Sequence, residues 1–81
     1  MSVALKEALD AYTAARAALR TVMLHDYPVT ATVYWRDGQH LRRGTVVFHD
    51  PFDAELVARD DTSGLELWIE AKEIVPKEGM P

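Results

Sequence analysis

Residues 29–52, VTATVYWRDGQHLRRGTVVFHDPF, decide the fold. Val29, Ala31, Val33 and Trp35 alternate with Thr30, Thr32, Tyr34 and Arg36. That period of two, in β-branched and aromatic residues, predicts a half-buried strand. Asp37-Gly38 predicts a hairpin, because glycine takes the positive φ that such turns need. In the return strand Leu41 has the opposite parity from Gly44, Val46 and Phe48. Both sets reach the core only if one residue bulges near Arg42-Arg43, and a bulge adds the twist and bend of a small closed sheet. The segment His49-Asp50-Pro51-Phe52 then turns the chain.

Upstream, Ser2 is placed to cap a helix expected over about 3–24. Its apolar stripe is Leu5, Ala8/Leu9, Tyr12, Ala15, Leu19 and Val22/Met23, in helical steps of three and four. Alanines at 4, 8, 11, 14, 15, 17 and 18 favour helix. Lys6 and Asp10 are spaced for an i,i+4 pair. His25-Asp26-Tyr27-Pro28 ends the helix, since the residue before proline avoids helical geometry. Downstream, Ala54, Leu56 and Ala58 alternate with Glu55, Val57 and Arg59 as a third strand. After the turn Asp60-Asp61-Thr62-Ser63-Gly64, Leu65, Leu67 and Ile69 alternate with Glu66, Trp68 and Glu70 as a fourth. Ile74-Val75, closed by Pro76, reads as a fifth strand, and residues 77–81 as a frayed tail. The expectation is a single domain over 1–81, mainly β with one N-terminal helix. Its barrel, over about 29–76, is SH3-like: five short antiparallel strands, strongly bent.

Eighty-one residues support one small core, and with no cysteines the chain has neither disulfides nor a thiolate zinc site to staple it. Self-assembly is the expected remedy for the open edges of such a sheet. Net charge is −4, divided as +2 over residues 1–49 (six bases, four acids) and −6 over 50–81 (three bases, nine acids). That balance disfavours generic nucleic-acid binding, which draws on cationic surface. No apolar run approaches the length needed to cross a bilayer, and the first residues lack the pattern of a secretory signal, so a cytoplasmic protein is expected. His25, His40 and His49 lack metal-site spacing, and there is neither a nucleophile elbow nor a glycine-rich phosphate loop. The expectation is a protein that is not an enzyme and uses no metal or cofactor.

With Tyr34, Asp37-Gly38, Gly44, His49-Asp50-Pro51-Phe52 and Ile74-Val75-Pro76 in this order behind a helix, the chain resembles the Sm-like family, and within it bacterial Hfq. The resemblance covers roughly residues 3–76. It implies a homo-oligomeric ring, a hexamer as in Hfq, that binds single-stranded RNA as a chaperone or post-transcriptional regulator. The departures are specific. One residue more than the usual spacing lies between Gly38 and Gly44, and two more lie between Pro28 and Tyr34. Leu67-Trp68-Ile69 stands where Hfq carries Tyr-Lys-His, so the pore lysine and histidine are absent. Thr21-Val22-Met23-Leu24 replaces the basic rim at the helix end. The chain is thereby closer to cyanobacterial-type Hfq, with a tryptophan in this strand and weak RNA affinity.

By that resemblance Phe52 is the loop aromatic on which a base stacks, and Tyr34 is the distal-face tyrosine that contacts purine-rich RNA. Stacking of this kind contributes about 1–3 kcal/mol per base. Arg36, Arg42 and Arg43, with His40, flank the hairpin and are placed to grip phosphates. Each has a plainer reading: Phe52 as a plug of the barrel end, Tyr34 as a cross-strand aromatic, the arginines as charge guarding a strand edge. Leu67, Trp68 and Ile69 of the fourth strand, with Ile74 and Val75 of the fifth, are the expected subunit interface, where tryptophan is commonly buried. A protein-interaction or scaffold barrel that keeps the fold and does not bind RNA is the alternative, and the acidic second half favours it.

Overall fold

The computed structural model describes residues 2–76. Helix α1 spans Val3–Asp26, and the Ser2 side chain accepts a hydrogen bond from the Leu5 amide at 3.1 Å. It runs two residues beyond the expected end at 24 and stops where the Tyr27 amide donates to the Met23 carbonyl (2.9 Å), just before Pro28. Four strands follow among the described residues: β1 Thr32–Asp37, β2 His40–His49, β3 Glu55–Asp60 and β4 Glu66–Glu70. They form one antiparallel sheet in the order β1-β2-β3-β4. Ala71–Glu73 forms a single 3-10 turn after β4.

β1 begins three residues later than the alternation predicts. Pro28 to Ala31 is a turn, closed by Ala31 N donating to the Pro28 carbonyl at 2.9 Å, with Thr30 held at φ 82°. Thr30 N also donates to the Val46 carbonyl at 2.8 Å, so β2 holds this left-handed residue in place. The two residues of the β1–β2 loop are Gly38 and Gln39, with Gly38 at φ 62°.

The bulge lies elsewhere than expected. Pairing of β1 with β2 is unbroken from Thr32↔Thr45 to Asp37↔His40, straight through Arg42 and Arg43. The register shifts instead on the other side of β2, between Val46 and Phe48, where Val47 is the extra residue. Parity is therefore kept from Leu41 to Val46 and reversed afterwards. Leu41 faces outward, Gly44 and Val46 face the core, and Phe48 is turned to the outer face while His49 follows Leu56 inward.

The core comprises Val33 and Trp35 from β1, Val46 from β2, Leu56 and Ala58 from β3 and Ile69 from β4, sealed by Met23 and Tyr27 at the end of the helix. Of the predicted helical stripe only Met23 is buried; Leu5, Leu9, Tyr12, Leu19 and Val22 are exposed. Twenty-four helical residues span about 36 Å at 1.5 Å each, whereas the two shorter axes of the molecule are 24 and 20 Å. Residues 3–15 of α1 are all exposed, so the N-terminal half of the helix is not packed into the core. The fifth strand is reduced to a bridge between Ile74 and Trp35, with Val75 N donating to the Tyr34 carbonyl at 2.9 Å. The tail expected over 77–81 lies outside the described residues.

Candidate functional site

The turn from β3 to β4 is organised by Asp60, a buried carboxylate at 3 % exposure. One of its oxygens accepts from the amides of Thr62 (2.7 Å) and Ser63 (3.1 Å), while Gly64 N donates to its carbonyl at 2.8 Å. The Ser63 amide first, then that of Thr62, and to a smaller degree the Arg42 charge, hold its carboxyl below the ordinary carboxylate range against the opposing effect of burial. A depressed folded pKa contributes stability above the unfolded value, near 4, and that stability is lost as pH falls through the folded value. Asp60→Asn keeps the acceptor oxygen and removes the charge. Denaturant melts should show the variant less stable at neutral pH, with the gap closing below about pH 4. A gap that is constant with pH would show that the charge plays no part.

The hairpin residues are brought together, and the charges of Arg42 and Arg43 are matched by acids. Tyr34 and Arg43 are directly opposed on the outer face. Arg43 Nε donates to Asp61 at 2.8 Å, and hydrogen bonds to Asp61 and then to Tyr34 raise its pKa further. Arg42 lies on the inner parity beside Gly44 and sits 3.7 Å from Asp37. Arg59 pairs with Glu66 at 2.7 Å, and Arg16 with Asp53. Arg36 and His40 are exposed at the hairpin and make no ion pair among the described residues.

Phe52 is held far from that group. It is 80 % exposed in a loop shaped by Asp50, whose side chain accepts from the amides of Phe52 (2.7 Å) and Asp53 (2.8 Å). Arg20 Nε donates to the Asp50 carbonyl at 3.1 Å, so the loop is docked on α1. Six steps along β2 separate Arg43 from His49, about 20 Å at 3.3 Å per residue. Phe52 and the hairpin arginines therefore belong to opposite ends of the sheet.

The expected interface residues divide. Ile69 is buried in this chain's own core at 1 % exposure, Ile74 packs against that core, and Val75 is bonded to β1. Leu67 and Trp68 are exposed. Phe48 joins them, and sequence reasoning placed it in the core. Its ring meets Trp68 edge-on at 6.0 Å and 88°, along the outer-face row Phe48–Val57–Trp68. The Val47 bulge creates this pair, and the parity break in β2 was the available signal. Glu55 and Glu70 are directly opposed at the next outer-face position.

Beside this acidic pair, α1 and the end of the sheet flank an open groove of about 490 Å³, lined by Tyr12, Leu19, Glu55, Ala71 and Lys72 among others. The histidines are dispersed: His49 Nε2 donates to the Tyr27 carbonyl at 2.6 Å, while His25 meets Asp26 at 3.0 Å. No cluster of three or more metal-ligating side chains occurs among the described residues, and no described helix is long and apolar enough to cross a membrane. Compared with known proteins, the chain matches no family model, no curated protein and no solved structure.

Proposed function

We propose that this chain is a small-barrel interaction or scaffold module, Sm-like in layout, which binds polypeptide and performs no catalysis. In this reading the Ile74–Val75 segment acts as the fifth strand and closes the barrel along β1, supported by its bridge to Trp35 and its bond to Tyr34. One observation carries the choice of ligand. Of the hairpin cations Arg42 and Arg43 are matched by Asp37 and Asp61, while large apolar side chains stand in solvent: Leu5, Leu9, Tyr12, Phe48 and Trp68. The exposed Leu5, Leu9 and Tyr12 of one helix stripe and the Phe48–Trp68 pair of the outer face suit contact with another chain.

The second reading is a cytoplasmic, hexameric, Hfq-like ring with weak affinity for single-stranded RNA. What favours it is Phe52, 80 % exposed on a preformed turn, with Arg36 and His40 making no ion pair among the described residues. The experiment is anisotropy of labelled uridine-rich and adenine-rich oligoribonucleotides at low ionic strength, run beside light scattering. The module reading expects no saturable binding. Binding that weakens steeply with salt and is lost in Phe52→Ala and Arg36→Ala would replace it with the RNA reading.

A further inference from the structure

The open edge of β4 carries an inference that rests on the module reading and names its partner. Antiparallel ladders alternate, so every second residue turns its amide and carbonyl away from the neighbouring strand. Asp60 N donates to the Leu65 carbonyl (2.8 Å) and Ala71 N to the Ala54 carbonyl (3.1 Å), one bond at each end of β4. Counting in twos between them assigns Leu67 and Ile69 the backbone groups that face β3. Glu66, Trp68 and Glu70 face outward from the sheet edge. Glu70 N is capped by the Glu73 side chain at 3.1 Å, which leaves the amides and carbonyls of Glu66 and Trp68 open among the described residues. The opposite edge, on β1, is engaged by Ile74 and Val75.

The side chains along this edge determine what fits. Trp68 lies on the outer face between Glu66 and Glu70, 57 % exposed and braced by Phe48. Glu55, opposite Glu70, makes no ion pair among the described residues, whereas Glu66 and Glu70 have Arg59 and Lys72. The surface around Trp68 therefore holds three carboxylates against two cations. Like charges facing one another across strands are unfavourable. A two-fold pairing of β4 with its copy about Trp68 would set Glu66 opposite the second copy's Glu70, twice, a like-charge opposition that the exposed pairs with Arg59 and Lys72 offset only in part.

We infer that β4 accepts an extended basic peptide segment as an added strand, with lysine or arginine beside Glu66 and Glu70 and an aromatic or aliphatic residue beside Trp68. The backbone bonds of Glu66 and Trp68 supply the attachment, in the manner of strand addition to a sheet edge. The carboxylates and the face of Trp68, which attracts cations, supply the selection.

The test uses the full chain and two blocked heptapeptides, Ac-Thr-Lys-Val-Tyr-Val-Lys-Thr-amide and its counterpart with both lysines replaced by glutamate, titrated by amide NMR. The lysine peptide should bind at least about tenfold more tightly, a 1.4 kcal/mol difference, and shift the Glu66 and Trp68 amides. Trp68→Pro removes the outward-facing donor together with the indole and breaks no bond to β3, as proline at a sheet edge does, and should abolish binding while the chain stays folded. Glu55→Lys with Glu66→Lys should invert the peptide preference. Equal affinity for both peptides, or binding undiminished in Trp68→Pro, overturns the proposal and leaves the module reading standing. A ring in light scattering that buries β4 and excludes the peptide overturns it as well.

Discussion

Gly44→Ala lowers the unfolding midpoint by roughly 15 °C, the shift that about 3 kcal/mol produces in a domain of this size. A methyl group at this position would meet the Arg59 carbonyl oxygen at 2.3 Å, the Arg59 carbonyl carbon at 2.9 Å and the Trp35 ring at 2.9 Å. The first two atoms are backbone of the paired strand and cannot swing aside, so β2 and β3 must separate where Gly44 opposes Asp60. Total stability scales at about 0.05–0.15 kcal/mol per residue, and a loss of this size takes much of it. Thermal denaturation by circular dichroism measures the effect. Adding Trp35→Phe relieves only the third contact, so the double variant should recover little. Full recovery would mean that the ring, and not the strand backbone, sets the limit.

Trp35→Ala costs about 3–5 kcal/mol, the range for truncating a buried aromatic. Trp35 is 3 % exposed, covers Gly44 and lies at the bridge to Ile74, so the cavity opens where β1, β2 and the returning segment meet. Urea unfolding is the measure, and fluorescence adds a second one. The two tryptophans are Trp35 and Trp68, one buried and one 57 % exposed. Removal of Trp35 should leave only red-shifted emission, whereas Trp68→Phe should leave blue-shifted emission and nearly unchanged stability. Equal destabilisation by the two changes would mean that Trp68 is as integral to the fold as Trp35.

The helix, the order of the strands and most of the core were legible because each depends on local periodicity. Val33, Trp35, Val46, Leu56 and Ile69 all occupy the faces that alternation assigns. The failures arise where tertiary contacts decide. One bulge between Leu41 and Phe48 puts both on the same face, and sequence alone does not say where in β2 it falls; placed at Val47 it leaves both outside and turns Phe48 to meet Trp68. The helical stripe is amphipathic along its whole length, yet only its last turns have a sheet beneath them. The hairpin arginines were recognisable as a cluster, but their neutralisation was not, because Asp61 lies 18 residues beyond Arg43. Asp60 showed itself only as a turn residue, although an aspartate that opens a turn, here Asp61-Thr62-Ser63-Gly64, is a recognised acceptor from the amide two residues on.

Strands that are neighbours in sequence are neighbours in this sheet, and that order has a kinetic meaning. Each hairpin forms across a short loop, so little chain entropy is lost before pairing begins to stabilise it. The contact between Trp35 and Ile74 joins residues 39 positions apart (74 − 35) and runs against that economy. By contact order it follows the three turns between them. The expected order is hairpins first, as a twisted ribbon, and return of the last segment to β1 last.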